Sequence, residues 1–167
     1  MADDATARLA LPLLQAGQAQ KEMTHNEALA RLDLAVQAVV VTMGLNDPPV
    51  DPAVGDCWIV GPAPTGAWVG EAGALAGWTA DGWRFVAAAE GMTVWIADRA
   101  VAARYVGGGW VAGDLAGEQV SIEGVKVVGA QAAAIADPAG GTTIDAEART
   151  TIGAILSILR GHGLIAS

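Results

Sequence analysis

The sequence predicts an α+β protein that is mainly β, with an antiparallel meander of short hairpins between an N-terminal and a C-terminal helix. Two observations predict this class. Tryptophans and turn residues repeat through the middle of the chain, and helical spacing of apolar residues occurs near its two ends. The chain divides into an extended arm (1–23), a helix (24–44), a Trp-rich hairpin domain (50–113), a strand with a linker (114–142) and a C-terminal helix (143–167).

The arm combines an apolar stretch around Pro12, which keeps the preceding residue out of a helix, with a glutamine-rich stretch. Amide side chains both donate and accept hydrogen bonds, which suits docking onto the exposed backbone of a neighbour. The alternative is a loop that caps the chain's own core. The residues predicted to make the attachment are Leu13, Leu14, Gln15, Gln18, Gln20 and Lys21.

The first helix is predicted from Asn26 to about Met43. Thr24 and Glu27 have the spacing of a capping box at its start. Its apolar residues recur at intervals of three and four, and form a stripe as narrow as that of a coiled coil. The stripe predicts self-association, with packing against the β domain as the alternative. It consists of Leu29, Leu32, Val36 and Val39.

An ungapped repeat with an offset of 27 residues predicts the hairpin domain. It places Trp68 on Trp95 and Trp83 on Trp110. Each copy holds a Trp, an acidic turn, an aromatic residue, a glycine-containing turn and a second Trp. The segment 56–60 resembles a further copy of the opening strand, so the domain is expected to contain six to eight strands.

Asp81 and Gly82 predict a type I′ hairpin turn. Such a turn pairs Trp83 with Ala80 and makes Trp78 a diagonal neighbour on the same face. The three consecutive glycines of the second copy are expected to form an equivalent turn. Exposed rings would stack on sugar rings beside turn carboxylates, whereas buried rings would fill a core of small residues. The candidate carbohydrate-binding residues are Trp78, Asp81, Trp83, Tyr105 and Trp110.

Residues 120–128 alternate between apolar and polar and predict a strand or hairpin, followed by a linker rich in Gly and Ala. Asp145 is placed to cap the final helix, which Arg160 and Gly161 close. Its apolar stripe is narrow, so a cyclic oligomer with helical ends would bury the stripes of both helices. The second stripe consists of Ile152, Ile155 and Leu159.

The composition limits the function classes. A net charge of −9 disfavours nucleic acid binding, and no run reaches the roughly 18 apolar residues of a membrane span. The acidic N-terminus is unlike a secretory signal, so synthesis in the cytoplasm is expected. Cys57, within an apolar run, is predicted to be a buried hydrophobic residue.

The sequence contains no familiar catalytic or metal-binding motif. We therefore predict that the chain is not an enzyme and has no catalytic residues, metal or cofactor. Carboxylates such as Asp81 and Asp98 lie at predicted turns, where they are normally solvated. Polysaccharide hydrolysis by these two residues is a further alternative, and it predicts that Asn at either position abolishes sugar release.

The segment from Leu11 to Leu29 resembles the opening of a domain of unassigned function found in phage-related proteins and in gene transfer agents of alphaproteobacteria. The string Gln-Ala-Gly-Gln-Ala-Gln-Lys-Glu is its most specific part. The resemblance continues through the Trp and Gly motifs to Trp110. Residues 124–165 resemble the tail that often follows this domain.

The resemblance implies a virion structural component, either a head spike or a tail fibre subunit, with no catalytic residues. Such a subunit attaches to the capsid or baseplate and contacts the recipient cell, often its capsular polysaccharide. The expected partners are other virion proteins, copies of the chain itself and a cell-surface polysaccharide. The expected location is a phage-like particle assembled in the bacterial cytoplasm. The chain is shorter than many relatives, which favours a base or adaptor. The alternative is a free carbohydrate-binding module.

Overall fold

The computed structural model describes residues 5–15, 17, 21–143 and 145–166, and the chain divides into two units after residue 114. In the N-terminal unit, the described residues form one α-helix, eight strands and a short 3-10 helix at Gly66–Trp68. Its elements are α1 (Lys21–Ala35), β1 (Val39–Val40), β2 (Met43–Leu45), β3 (Cys57–Val60), β4 (Leu75–Thr79), β5 (Gly82–Val86), β6 (Thr93–Ile96), β7 (Val101–Val106) and β8 (Gly109–Ala112).

These strands form two four-stranded sheets of the same topology. The first sheet has the order β2-β3-β4-β5, and the second sheet has the order β1-β6-β7-β8. In each sheet, a short parallel strand pairs with the first strand of a three-stranded antiparallel meander. The prediction of a mainly β protein with antiparallel hairpins and two helices is confirmed, and six of the strands lie within residues 50–113.

The first helix differs from its prediction. It covers Lys21–Ala35 instead of residues 24–44, so Thr24 and Glu27 lie inside the helix and form no capping box. The apolar stripe predicted for one long helix is therefore divided between this helix and the strand that follows it.

Two features end the helix early. Gln37 has a φ of 45°, which turns the backbone out of the helical path. The β-branched run from Val39 to Thr42 favours strand, and β1 and β2 find parallel partners in β6 and β3. Pairing with distant strands thus outweighs the helical spacing of the apolar residues.

The two sheets face each other across the main core of the N-terminal unit. The facing side chains come from β3 and β4 of the first sheet and from β6 and β7 of the second, with α1 contributing Leu34. Cys57 is fully buried here, as predicted, and burial raises the pKa of its thiol to about 11. The buried members are Leu34, Ala38, Val40, Cys57, Ile59, Leu75, Val94, Ile96 and Ala103.

The other face of the first sheet carries an aromatic cluster. Trp68, on the 3-10 helix between β3 and β4, is fully buried there. Its ring centroid lies 5.1 Å from that of Trp83 and 6.2 Å from that of Trp58. Trp78 packs edge-on against Trp83 in the same cluster. Trp58 and Trp68 are therefore core residues, and this face of the sheet is closed to solvent at its centre.

The second sheet has an open surface on the side that faces away from the core. Cross-strand pairing places Val39, Trp95 and Ala102 in one row. The next row contains Arg104 and Val111. Trp95 keeps 46% of its surface exposed, and Val39 and Val111 are exposed as well. We call these five residues the outer face.

The 27-residue repeat in the sequence matches a structural repeat only in its second half, where the β4–β5 hairpin is equivalent to the β7–β8 hairpin. Trp83 and Trp110 occupy equivalent places on β5 and β8. Trp68 and Trp95 are not equivalent, because Trp68 lies on the 3-10 helix and Trp95 lies on β6. The strand that corresponds to β6 is β3, in agreement with the likeness seen in residues 56–60. The longer β3–β4 connection breaks the constant offset.

The C-terminal unit contains β9 (Val120–Ile122), β10 (Val125–Val128) and α2 (Ala146–Gly161). The two strands form an antiparallel hairpin. Asp145 caps α2 as predicted, since its carboxylate accepts a hydrogen bond from the N–H of Ala148 at 2.8 Å. Within the described residues of the whole chain, no helix combines the length and the apolar character needed to cross a membrane.

Candidate binding pocket and exposed surfaces

A pocket of about 1060 Å³ lies in the N-terminal unit between the arm, α1 and the tip of the β4–β5 hairpin. Leu13, Met23, Asn26 and Thr79 contribute to its lining. The charged lining is mainly acidic, which suits ligands that donate hydrogen bonds. In the described parts of the chain, no three His, Cys, Asp or Glu side chains are grouped to hold a metal ion. The charged residues of the pocket are Glu22, Glu27, Asp33, Asp81 and Arg84.

A buried carboxylate holds the arm against α1 beside this pocket. Asp33 is 3% exposed and accepts a hydrogen bond from the Thr6 hydroxyl at 2.7 Å. Its carboxylate also accepts from the backbone N–H groups of Arg8 at 3.0 Å and Leu9 at 2.6 Å. Burying a carboxylate without donors is costly, so these three bonds fix the turn of the arm on the helix.

Arg8 completes the anchor from the same turn. Its guanidinium donates to the carbonyl of Leu34 at the C-terminal end of α1, at 3.3 Å, and to that of Gln37 just beyond the helix, at 2.8 Å. Carbonyls at a helix C-terminus lack partners within the helix, so Arg8 caps them and complements the negative end of the helix dipole. Neither Arg8 nor Asp33 is predictable from a sequence pattern, because their contact spans 25 positions and leaves no periodic signal.

An ion pair between α1 and β5 forms part of the pocket wall. Arg84 Nε lies 2.6 Å from Glu27 Oε2, and Arg31 Nε lies 2.9 Å from Glu27 Oε1. Burial alone would raise the pKa of Glu27, but hydrogen bonds from Arg84 and Arg31 outweigh it and the pKa is lowered. Glu27 is therefore ionised at neutral pH, and both of its oxygens already have partners.

The candidate carbohydrate-binding residues of the first sheet pair differently from the prediction. Trp78 pairs directly with Trp83, with ring centroids 5.0 Å apart, so the predicted pairing of Trp83 with Ala80 is wrong. The type I′ turn is also wrong, because φ is positive at Gly82 but not at Asp81. The two rings share a face, as predicted, and both are half-buried. Trp78 and Asp81 line the pocket.

The equivalent candidates of the second sheet, Tyr105 and Trp110, also pair directly, with ring centroids 5.4 Å apart. Gly107 and Gly108 both have positive φ, which is the type I′ geometry. Trp110 Nε1 donates to the carbonyl of Gly73 at 2.8 Å. Trp110 thus ties the second sheet to the β3–β4 connection, a packing role that the sequence does not reveal.

The described part of the arm contacts its own helix. Leu13 lines the pocket, and Leu14 is held by the side chain of Asn26. The Asn26 amide accepts from the Leu14 N–H at 2.9 Å and donates to the Leu14 carbonyl at 3.0 Å. Attachment of the arm to another protein stays a prediction. Among the other attachment candidates, Gln15 and Lys21 are exposed, and Gln18 and Gln20 lie outside the described residues.

The predicted stripe of the first helix is not one helical seam. Leu29 and Leu32 lie on α1, whereas Val36 follows the helix and Val39 belongs to β1. Leu32, Val36 and Val39 are nevertheless exposed. The prediction of one helical stripe is wrong in its geometry, because α1 ends at Ala35. Self-association through these side chains stays a prediction.

These features define the N-terminal unit as a two-sheet β domain with a helix-anchored arm, an acidic pocket and an open apolar sheet face. The chain belongs to the DUF2793 family, described as a protein of unknown function, whose model matches residues 25–111. A comparison with curated proteins finds no match. The family match runs from within α1 to β8 and thus covers both sheets, and it ends before residues 124–165.

Proposed function

We propose that the chain is a structural subunit of a phage-like particle. In this role it is a head spike or tail fibre component that attaches to the capsid or baseplate and supports contact with the host cell surface. The observation that supports the proposal is the outer face. Contiguous apolar surface of this kind is typical of interaction sites, because its burial against a neighbour removes it from water.

The repeat indicates what kind of contact this face makes. In the first sheet, Ile59 pairs with Leu75 on the face that packs against the second sheet. The equivalent pair in the second sheet is Trp95 and Ala102, on the outer face. A face that belongs to the core in the first sheet is therefore open in the second. We infer that a sheet of a neighbouring particle protein packs on it.

Arg104 gives this surface a chemical preference. It lies on β7, a middle strand of the second sheet, opposite Val111, and its guanidinium has no hydrogen-bond or ion-pair partner among the described residues. An acidic group on the neighbour would satisfy its guanidinium. We therefore expect the partner surface to be apolar, with a carboxylate placed opposite Arg104.

The test is incorporation into particles. Trp95→Glu places a negative charge at the centre of the outer face. Val69→Glu adds the same charge at an exposed loop position outside that face. We expect particles to contain the parent chain and the Val69 variant but to lack the Trp95 variant. Circular dichroism checks that both variants fold. A folded Trp95 variant at parental levels in particles, or a parent chain that is absent from them, contradicts the proposal.

The proposed role also includes the partners and the location that the resemblance implies. Copies of the chain and a cell-surface polysaccharide are the further proposed partners, without nucleic acid binding or membrane insertion. The phage-like particle is the proposed location, and the role requires no catalysis, metal or cofactor. Truncation of residues 1–22 is a poor test of arm attachment, because it also removes the hydrogen bonds that satisfy Asp33.

A free carbohydrate-binding module is the second candidate, and the pocket favours it. Trp78 and Asp81 both line it, and the exposed Asp81 carboxylate offers acceptors for sugar hydroxyls. The most direct test is calorimetric titration of the chain with capsular polysaccharide. Asp81→Ala should abolish the binding heat, whereas Asp98→Ala, an exposed turn position outside the lining, should not. Equal heats for the two variants would exclude the pocket as the glycan site.

A further inference from the structure

The C-terminal unit buries little of its apolar surface. Among its described residues, Leu156 and Ile165 are the buried hydrophobic side chains, whereas the described part of the N-terminal unit has 14. Units of about 50 residues are marginally stable even with a well-formed core, and smaller cores usually require oligomerisation or other cross-links. The C-terminal unit therefore needs additional apolar contacts.

Its hairpin has one apolar face and one polar face. The Glu123–Gly124 turn has positive φ at both residues, which is the type I′ geometry that joins β9 to β10. Ile122 pairs with Val125 on the apolar face, and they are 60% and 65% exposed. Ser121 pairs with Lys126 on the opposite face. An isolated two-stranded hairpin is marginal in water, so the apolar face requires a cover.

A second apolar surface lies on α2. Ile152, Ile155 and Ile158 follow one another at intervals of three and are all exposed, whereas Leu159 is half-buried. Ile152 and Ile155 belong to the stripe that the sequence predicts as an oligomer seam. The helix buries Leu156, which lies one turn after Ile152, and the stripe of isoleucines runs from there to the solvent-facing side at Ile158.

Like net charges repel, so the distribution of charge decides which units of two copies can meet. The N-terminal unit contains 13 acidic and 6 basic residues, so its net charge is −7, and copies of it repel one another. The C-terminal unit contains 5 acidic and 3 basic residues, so its net charge is −2. Two copies therefore meet with less electrostatic repulsion through their C-terminal units, which also carry the exposed hairpin face and the α2 isoleucines.

We propose that residues 115–167 form a self-association module. In this proposal, the apolar hairpin face and the α2 isoleucines of one copy are buried against the same unit of other copies. A self-complementary contact of this kind generates closed oligomers. The inference deepens the proposed self-association but is independent of the particle role, because the purified chain alone is sufficient to test it.

Sedimentation equilibrium of the full chain over a range of concentrations tests the proposal. Ile122→Asp combined with Val125→Asp adds two negative charges to the apolar hairpin face. Ser121→Asp combined with Lys126→Gln makes the same change of charge on the polar face. We expect the parent and the polar-face variant to assemble, and the apolar-face variant to raise the dissociation constant about tenfold or more, an effect of 1.4 kcal/mol or greater.

A second pair of variants keeps the test decisive if the hairpin variant unfolds. Ile155 is 52% exposed, so Ile155→Glu should leave α2 folded, and Ser157→Glu is its control on the same helix. All six tryptophans lie in residues 58–110, so their fluorescence reports the folding of the N-terminal unit separately. A monomeric parent chain at the highest concentration, or equal masses for the apolar and control variants, overturns the proposal.

Discussion

The two sheets of the N-terminal unit share one strand order but differ in what covers them. The aromatic face of the first sheet is closed by Trp68, which the long connection between β3 and β4 carries. The opposite face of that sheet packs on the second sheet and on α1. The second sheet has one face in the core and the other, centred on Trp95, in solvent.

The two sheets place opposite equivalent faces in the shared core, and their first connections also differ in length. The β3–β4 connection covers residues 61–74 and has room for a 3-10 helix, whereas the β6–β7 connection covers residues 97–100 and forms a tight turn. The same strand order is thus found in one sheet that is covered on both faces and in one sheet with an open face. Four pairs of matched substitutions test how far the comparison extends.

The largest expected effect separates the two tryptophans that the sequence repeat aligned. Trp68→Ala removes a fully buried ring and should lower the free energy of unfolding by about 3–5 kcal/mol. Trp95→Ala removes a ring from the open face and should cost about 1 kcal/mol or less. Urea denaturation followed by circular dichroism measures both. Equal losses would mean that the outer face is not open in the isolated chain.

The next effect concerns the seat of α1 on the first sheet. Gly77 lies directly beneath the buried Leu34 side chain, and a methyl group there would overlap it. Gly77→Ala should therefore cost about 1–3 kcal/mol. The equivalent position in the second sheet holds Arg104, on the outer face, and Arg104→Ala should change stability by about 0.5 kcal/mol or less. Thermal unfolding of both variants checks the contrast, which fails if Gly77→Ala is neutral.

Local signals predict the elements of this fold whose partners are near in sequence. The hairpins between residues 75 and 112 follow from turn residues and aromatic spacing, and the cap of α2 follows from Asp145. The strands β1 and β2 are not predictable in this way. Their partners are β6 and β3, the pairing is parallel, and Val39 fits the predicted helical stripe equally well.

The candidate site is less predictable for the same reason. A local turn signal predicts Trp78 and Asp81, and both line the pocket. The residues that build the opposite wall are brought there by the anchor between Arg8 and Asp33, a contact between the arm and the end of α1. A lone aspartate within a helix resembles a solvated surface residue until the chain folds back over it.

Smaller effects are expected at two equivalent glycines in the hairpins. Gly82 has a φ of 102°, so Gly82→Ala should cost about 1–2 kcal/mol through backbone strain. Gly109 occupies the same place in the second sheet without a positive φ and with open space around it. Gly109→Ala should therefore be neutral or stabilise by about 0.5 kcal/mol. Denaturant midpoints for the two variants give the comparison, and a loss at Gly109 as large as that at Gly82 would contradict it.

The smallest effect depends on pH and concerns the ion pair between Arg84 of the first sheet and Glu27. The equivalent position in the second sheet holds Val111, on the outer face, so that sheet has no such ion pair. The pKa of Glu27 is lowered in the fold, so the pair contributes stability above the unfolded pKa of about 4.3 and loses it as the pH falls through the folded value. Arg84→Gln should cost about 0.5–1 kcal/mol at pH 7, and the difference from the parent should shrink below pH 4. Arg31→Gln, at a more exposed partner of the same carboxylate, should cost about 0.3 kcal/mol. A loss for Arg84→Gln that stays constant from pH 7 to pH 3 would assign its role to packing of the side chain instead of to charge.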